Sequence, residues 1–133
     1  MYKFSDISRN RLKTCDILLQ QLFEYIIIKY DCSIICGYRG KTEQNRAFKE
    51  GKSKKKYPES KHNTFPSRAV DVAPYIAGKG ISWDKDQCYY FAGYVKGIAD
   101  SLNIPIRCGA DWDKDNDINN QIFNDLVHFE ISD

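Results

Sequence analysis

Apolar side chains in the first third of the chain recur with helical spacing. They stand three or four positions apart from Leu12 to Ile26, which predicts one long helix that begins near Ser8 and ends at Tyr30. A second stripe with the same spacing predicts another long helix from about Lys85. Each helix is expected to bury one face in the core.

Short apolar runs bounded by turn residues predict the strands. They lie at residues 33–36, 69–73, 104–108 and 127–131. A short helix is expected at 43–48, and Pro74 is expected to end the second strand. The irregular order of helices and strands indicates an α+β domain with a small, mostly antiparallel sheet and flanking helices. With 133 residues, the chain has room for one domain, spanning 1–133.

The composition is that of an ordinary folded protein. Aromatic residues make up 14% and charged residues 29% of the chain, and Gly and Pro are scarce, which excludes disordered, collagen-like and low-complexity classes. No uninterrupted apolar run, residues 25–28 among them, is longer than five residues, so neither a membrane span nor a secretory leader is predicted. The protein is therefore expected in a cytoplasm.

The cysteines favour reduced thiols over disulfides. The chain has five, at positions 15, 32, 36, 88 and 108, an odd number without the spacing of a disulfide framework. Most are expected to serve as apolar core residues. Cys32 and Cys36 could instead begin a metal site, but a strand would hold their sulfur atoms roughly 13 Å apart, too far for one ion.

Charge is divided unevenly along the chain, although its net value is only +2. From Arg39 to Arg68 the chain has ten Lys and Arg residues but only three Glu residues. From Asp111 to Asp133 it has seven acidic residues but only one Lys. The lysine-rich run 52–56 could bind a nucleic acid or an anionic cell-wall polymer, and a solvated loop is the simpler interpretation.

The chain contains only two histidines, His62 and His128. His62 precedes Asp71 by nine positions, and Asp71 falls in an apolar strand, where an unpaired charge would be costly. Asp71 is therefore expected to pair, either with Arg68 or with a metal ion that it shares with His62. His128 alternates with apolar neighbours, so in a strand it faces the same side as Glu130, away from the core.

Two histidines and one carboxylate, with a fourth position open to water, are the ligand set expected of a catalytic zinc ion. Zinc would lower the pKa of its bound water to about 7 and polarise a substrate carbonyl. A hydrolase also needs a general base, for which Asp125 and Glu130 are the nearby carboxylates, and only geometry can choose between them. Spacing alone leaves a second interpretation, namely that these are unrelated surface residues.

Ordered motifs along the chain carry a family resemblance. They are Ser60-Lys61-His62, Ala69-Val70-Asp71-Val72-Ala73-Pro74, Gly109-Ala110-Asp111-Trp112 and Asp125-Leu126-Val127-His128-Phe129-Glu130. The segment Gly37-Tyr38-Arg39 with Gln44 adds a fifth. Together, over about residues 4–131, they resemble the zinc peptidases that include phage L-alanyl-D-glutamate endolysins and bacterial D-alanyl-D-alanine carboxypeptidases.

The resemblance implies a fold of the hedgehog and D,D-peptidase type. It also implies that His62, Asp71 and His128 bind a zinc ion. Asp125 is then implied to be the catalytic base. The guanidinium of Arg39 is implied to stabilise the substrate carbonyl as it becomes an oxyanion.

Two features depart from the usual family pattern. The interval from His62 to Asp71 is longer than the usual one, so residues 65–67 resemble a small insertion in the zinc loop. The carboxypeptidase branch carries Glu before a Trp-His pair, whereas here Asp125 stands three residues before His128, a form similar to the endolysin branch. This form favours the L-Ala-D-Glu bond of the peptidoglycan stem peptide as the target.

The acidic loop suggests a second metal site. Its aspartates occupy alternating positions, namely Asp111, Asp113, Asp115 and Asp117. This spacing resembles the oxygen-rich first half of an EF-hand calcium loop, but position six is not Gly and position twelve, Ile122, is not Glu. A calcium ion held by the four carboxylates and a solvated acidic loop are therefore both compatible with the sequence.

The resulting hypothesis is a phage or prophage endolysin, a single-domain zinc peptidase that cleaves the L-Ala-D-Glu bond of peptidoglycan and lyses the cell wall. We expect a monomer with no nucleic-acid partner and no stable membrane association, which leaves the host cytoplasm for the wall after another protein permeabilises the membrane. The alternatives are a D,D-carboxypeptidase acting on D-Ala-D-Ala termini and a non-catalytic, zinc-stabilised binding domain. A nucleic-acid-binding domain is the most distant alternative, since few aromatic residues stand among the lysines.

Overall fold

The computed structural model describes residues 1–119 and 125–133, so Ile122 of the acidic loop lies outside the described residues. The helices in those ranges are α1 (Asp6–Leu12), α2 (Ile17–Ile27), α3 (Lys41–Lys49) and α4 (Lys85–Ser101). The strands are β1 (Cys32–Cys36), β2 (Ala69–Ile76), β3 (Gly80–Ile81), β4 (Ile106–Gly109) and β5 (Asp125–Ile131). A short 3-10 turn covers Lys61–Asn63. None of the described helices is long and apolar enough to span a bilayer.

The described strands form one antiparallel sheet. Its order is β1-β2-β5-β4, and β3 pairs with the far end of β2. The pairing of β2 with β5 sets Asp71 directly opposite His128. The predicted α+β architecture with an antiparallel sheet and flanking helices is therefore confirmed.

Helices α2 and α4 pack against one face of the sheet and form the core with it. Phe129 of β5 is fully buried there, and its ring lies 5.5 Å from the ring of Phe23 and 6.0 Å from that of Phe91, in edge-on contacts. Because side chains alternate along a strand, His128 and Glu130 face the other side of the sheet. This side carries the candidate site.

The prediction of one long helix from Ser8 is wrong, because the chain forms two helices, α1 and α2, with a turn between them. Asp16 caps α2, where its carboxylate accepts a hydrogen bond of 2.9 Å from the Leu18 N–H. Two backbone hydrogen bonds of 2.8 Å tie the turn to Ser67, one donated by Ser67 to Thr14 and one by Asp16 to Ser67. The apolar spacing continues through the turn because both helices bury side chains in the same core.

Strand β2 runs through Pro74 to Ile76, so the prediction that Pro74 ends it is also wrong. The pairing of β2 with β5 ends at Asp71, and Pro74 therefore lies beyond that ladder and interrupts none of its hydrogen bonds. Strand β3, which the sequence did not predict, pairs with the extended end of β2. The other predicted strands and the short helix lie within two residues of their observed bounds.

Candidate metal centre

A cleft of about 970 Å³ borders the sheet face opposite the α2 and α4 core. Its lining includes the five residues to which the family resemblance gives roles, namely Arg39, His62, Asp71, Asp125 and His128. They come from the segment after β1, the 3-10 turn, β2 and β5. The fold thus brings together side chains that the sequence separates widely.

The Asp71 carboxylate stands between the two histidines. Its Oδ1 atom lies 3.2 Å from His62 Nε2 and 3.3 Å from His128 Nδ1. Burial would raise the pKa of Asp71, but the adjacent imidazoles hold it well below its usual range. The proposed pairing with Arg68 does not occur, because the Arg68 guanidinium instead donates to Asp133 at 2.8 Å.

The 3-10 turn presents His62 to the cleft. The Ser60 hydroxyl caps the turn by accepting a hydrogen bond from the His62 N–H at 3.2 Å. His62 Nδ1 lies 2.8 Å from the carbonyl oxygen of Gly37, which can only accept, so Nδ1 carries a hydrogen and Nε2 faces Asp71. Burial lowers the pKa of His62, but Asp71 raises it more, to about 10.

His128 is oriented by a buried carboxylate. Its Nε2 donates to Glu130 Oε1 at 2.8 Å, which leaves Nδ1 facing Asp71. Glu130 also accepts a hydrogen bond of 2.9 Å from Arg107 and lies 3.2 Å from Lys61 Nζ. Burial would raise the pKa of Glu130, but the bonds from His128 and Arg107 lower it to about 2. Glu130 is therefore ionised and fully engaged with its partners.

Asp125 stands at the start of β5, beside His128. Its Oδ2 atom lies 3.9 Å from His128 Nδ1, and 29% of its side chain is exposed, against 4% for Glu130. Burial and the neighbouring charge of Asp71 raise the pKa of Asp125. Gly109 lets β4 approach closely here, since a Cβ atom at that position would clash with the Asp125 backbone. Both carboxylates that the sequence left as alternatives line the cleft, and that of Asp125 is the more exposed.

Arg39 lies over the other side of Asp71. Its Nη2 atom is 3.8 Å from Asp71 Oδ2, and its backbone N–H donates to the His62 carbonyl at 2.8 Å. The Nε atom is buried and has no hydrogen-bond partner among the described residues. The guanidinium thus keeps an unused N–H donor close to His62 and Asp71. Such a donor suits a substrate oxygen atom that gains negative charge during a reaction.

Gln44 connects the basic segment, residues 52–56, to the turn that carries His62. Its side chain is fully buried, and its amide nitrogen donates to the Lys55 carbonyl at 2.7 Å. Its amide oxygen accepts a hydrogen bond of 3.1 Å from Asn63 in the 3-10 turn. Lysines of the basic segment reach the cleft. Gln44 therefore has a positioning role in this structure.

One family of phage enzymes matches the chain along almost its whole length. The model of the family described as phage L-alanyl-D-glutamate peptidase matches residues 1–132. This chain belongs to that family. The L-alanyl-D-glutamate peptidase of Escherichia phage T5 is 31% identical to it over 125 residues, which cover 91% of this chain and 89% of the phage T5 protein.

A solved structure shares the fold. The Serratia marcescens L-Ala D-Glu endopeptidase ChiX superposes with a TM-score of 0.75 at 22% sequence identity, covering 98% of this chain and 90% of ChiX. The resemblance drawn from the motifs is thus confirmed at the level of family and fold.

In this family member, the acidic loop brings three of its four aspartates together. One carboxylate oxygen from each of Asp111, Asp113 and Asp115 lies within 4.8 Å of the other two. The Asp117 carboxylate accepts a hydrogen bond of 2.9 Å from the Asn119 N–H. The arrangement offers oxygen donors of the kind that calcium prefers.

The sequence analysis missed several contacts around His128. The Trp112 ring lies 5.2 Å from the His128 ring, and the Arg107 guanidinium lies 5.3 Å from the Trp112 ring on a cation-π contact. Arg107 is directly opposite Glu130 in the pairing of β4 with β5. Correct strand pairing would have revealed this contact, because opposite charges at paired positions are a recognisable signal. Cys36, which the sequence analysis weighed only together with Cys32, lines the cleft, whereas Cys32 is buried in the core.

Proposed function

We propose that this protein is a zinc-dependent endopeptidase that hydrolyses the L-Ala-D-Glu bond of peptidoglycan stem peptides. The observation that carries the proposal is the convergence of His62 Nε2 and His128 Nδ1 on one oxygen of Asp71 inside a cleft. Membership of the L-alanyl-D-glutamate peptidase family supports the choice of bond.

His62, Asp71 and His128 are the proposed zinc ligands. Two imidazoles and a carboxylate form the donor set that catalytic zinc sites use, with a further position for water or substrate. The partners Gly37 and Glu130 orient the two rings, as carbonyl and carboxylate groups do for ligand histidines in general. Zinc bound there supplies Lewis acidity and lowers the pKa of a coordinated water.

Asp125 is the proposed general base. Its carboxylate is accessible from the cleft and lies beside His128, so it can accept a proton from the attacking water. The same carboxyl group then donates that proton to the amine nitrogen of D-Glu as the peptide bond breaks. Its raised pKa suits a group that takes up and releases a proton in one cycle.

Arg39 is the proposed oxyanion donor. Its guanidinium is largely buried beside Asp71 and retains an unused N–H group among the described residues. A fixed cation beside the carbonyl oxygen stabilises the transition state more than the ground state, because negative charge develops there only during attack.

We propose that the protein acts as a monomer on the cell wall during phage or prophage lysis. The basic segment favours an anionic polymer such as peptidoglycan over a neutral one, because clustered lysines raise the local concentration of anions. We propose that the enzyme reaches the wall from the host cytoplasm after the membrane is permeabilised.

The acidic loop is proposed as a calcium site. Asp111, Asp113 and Asp115 supply three oxygen donors in close proximity, and a cation would relieve the repulsion among them. The loop follows β4 and precedes Asp125 in the chain, so calcium bound there would help to hold Trp112 and the proposed base, Asp125, in place.

Digestion of purified peptidoglycan tests the proposed activity. Zinc-loaded protein, chelated protein and chelated protein restored with zinc are compared, and the products are identified by fragment mass and by new amino termini. We expect new D-Glu amino termini that appear only when zinc is present. Asp125→Asn is the comparison with strongly reduced activity, and Asp100→Asn, at an exposed aspartate in α4, is the matched control that stays active.

The alternative functions give different products in the same assay. Release of single D-Ala residues would identify a D,D-carboxypeptidase. Zinc binding without any cleavage product would identify a non-catalytic binding domain.

A further inference from the structure

Cys36 lies at the edge of the proposed zinc site, and the mechanism above does not use it. All five cysteines fall in the described ranges, where four are buried and Cys36 is half-buried and lines the cleft. Its sulfur belongs to a group with His62 and Asp71 in which one donor atom of each residue lies within 4.8 Å of the other two. The thiol therefore accompanies two of the three proposed ligands.

A bulge in β1 explains why this thiol is in the cleft. Ile34 pairs with Val72 and Cys36 pairs with Asp71, so two steps along β1 correspond to one step along β2. In a regular strand Cys36 would share the core side with Ile34, which is 1% exposed. The bulge instead sets Cys36 opposite Asp71, which makes the thiol part of a cluster of potential ligands.

We propose that Cys36 is a metal ligand, which gives the centre a second donor set of Cys36, His62 and Asp71 for strongly thiophilic divalent ions such as cadmium. This inference rests on the proposed metal centre, since it uses two of its ligands. When the metal binds, the thiol releases its proton to solvent and the sulfur donates an electron pair to the ion. A thiolate donor disfavours magnesium, calcium and manganese, which prefer oxygen ligands.

The distances suit this second donor set. Tetrahedral zinc, with bonds of roughly 2.0–2.3 Å, separates its ligand atoms by roughly 3.3–3.8 Å. His62 Nε2 and Asp71 Oδ1 are 3.2 Å apart, close to that separation. The sulfur lies within 4.8 Å of one ring nitrogen of His62 and one carboxylate oxygen of Asp71, so a shift of about 1 Å brings it to the separation expected between ligand atoms of one ion.

The second donor set has a consequence for activity. When His128 binds the same ion, the thiolate occupies the fourth coordination position that water takes in a catalytic zinc site, and sites closed by four protein ligands are structural in character. Ions that bind sulfur strongly should therefore hold the centre in a closed, less active form. Cadmium is the ion for which this effect should be largest.

Cobalt provides the test, because a cobalt-thiolate bond gives a charge-transfer absorption band that imidazole and carboxylate ligands do not give. Wild-type protein is compared with Cys36→Ser and with Cys88→Ser, a cysteine that is buried in α4 and does not line the cleft. We expect the band in the wild type and in Cys88→Ser, its loss in Cys36→Ser, and a fall in cadmium affinity of more than about tenfold in Cys36→Ser alone.

A second measurement uses the wild type and does not depend on the folding of a variant. Native protein is treated with iodoacetamide with and without cadmium, and peptide masses identify the modified cysteine. We expect cadmium to protect Cys36.

The outcomes separate this inference from the proposed function. Stoichiometric cobalt binding without the charge-transfer band, or alkylation of Cys36 that cadmium leaves unchanged, overturns the role of Cys36 and leaves the His62, Asp71 and His128 site in place. Failure of the wild type to bind cobalt or zinc contradicts both.

Discussion

The two histidines of the centre are held by different means. His62 is oriented by the neutral backbone carbonyl of Gly37, at 2.8 Å. His128 is oriented by the Glu130 carboxylate, also at 2.8 Å, and two cations hold that carboxylate in turn. No side-chain substitution removes the Gly37 carbonyl oxygen that orients His62. A single substitution of Glu130, in contrast, removes the carboxylate that orients His128.

This difference separates substitutions by their expected effects. Changes to Asp71, which both histidines contact, should abolish metal binding. Changes to Glu130 should weaken mainly the His128 side, because they remove the buried charge that orients His128 and leave the nearby cations Arg107 and Lys61 without that carboxylate. The comparison thus predicts a graded series of effects.

Asp71→Asn should have the largest effect. The amide keeps the size of the side chain but loses the charge that both histidines share, so we expect loss of bound zinc and a fall of peptidase activity to background. Metal analysis and the peptidoglycan assay measure this, with Asp100→Asn as the control. His62→Ala and His128→Ala should behave in the same way, and full zinc occupancy in any of the three would remove that residue from the ligand set.

Asp125→Asn should lower turnover by about 10²–10⁴-fold while zinc remains bound, because a positioned base contributes about that much. Steady-state kinetics and metal analysis of the same preparation measure both effects. Loss of zinc in this variant would instead make Asp125 a ligand, consistent with its place beside Asp71 and His128.

Glu130→Gln should reduce zinc affinity by about 10–100-fold, the usual effect of changing the partner of a ligand histidine, and lower turnover less than Asp125→Asn does. Competition with a chelating dye measures the affinity. A larger loss of turnover than that of Asp125→Asn, with zinc saturating, would transfer the role of base to Glu130.

The stability that ionised Glu130 contributes should depend on pH. Its folded pKa of about 2 lies below the ordinary value of 4.5, so the stabilisation is complete above pH 4.5 and is lost as the pH falls towards 2. The difference in free energy of unfolding between wild type and Glu130→Gln, measured by urea titration with a chelator, should shrink over that interval. Glu24→Gln, at an exposed site, is the control. A difference in free energy of unfolding that stays constant down to pH 2 would contradict the ionised state of Glu130 in the folded protein.

Calcium should have the smallest effect, a rise of a few degrees in melting temperature through mass action on the native state. Asp113→Ala combined with Asp115→Ala should abolish the rise, as calorimetry can measure. Absence of binding at millimolar calcium would make the acidic loop a solvated segment, and binding without any change in activity would make the site purely structural.

Much of the fold follows from local pattern. The spacing of Phe91 in α4 and the alternation of His128 with Phe129 in β5 gave the right element and the right face, because both depend on a single period. The break between α1 and α2 was not predictable in this way, since Leu12 and Leu19 bury in one core on either side of it.

The same distinction between local pattern and long-range pairing applies to the candidate site. Motif resemblance implied that His62, Asp71 and His128 belong to one site, and all three line the cleft, whereas the positions of Cys36 and Arg107 depend on a bulge and on strand pairing that no local pattern encodes. Residues whose position depends on register are therefore the ones that required the structure.

The tautomers of the two histidines test the central claim most directly. With only His62 and His128 in the chain, long-range ¹⁵N NMR of the zinc-loaded protein gives two imidazole patterns, which single His→Gln variants assign. The account predicts that His62 keeps its hydrogen on Nδ1 and His128 keeps its hydrogen on Nε2, with the other nitrogen of each ring shifted by the metal. A hydrogen on the opposite nitrogen of either ring, or two rings that zinc leaves unshifted, would contradict it.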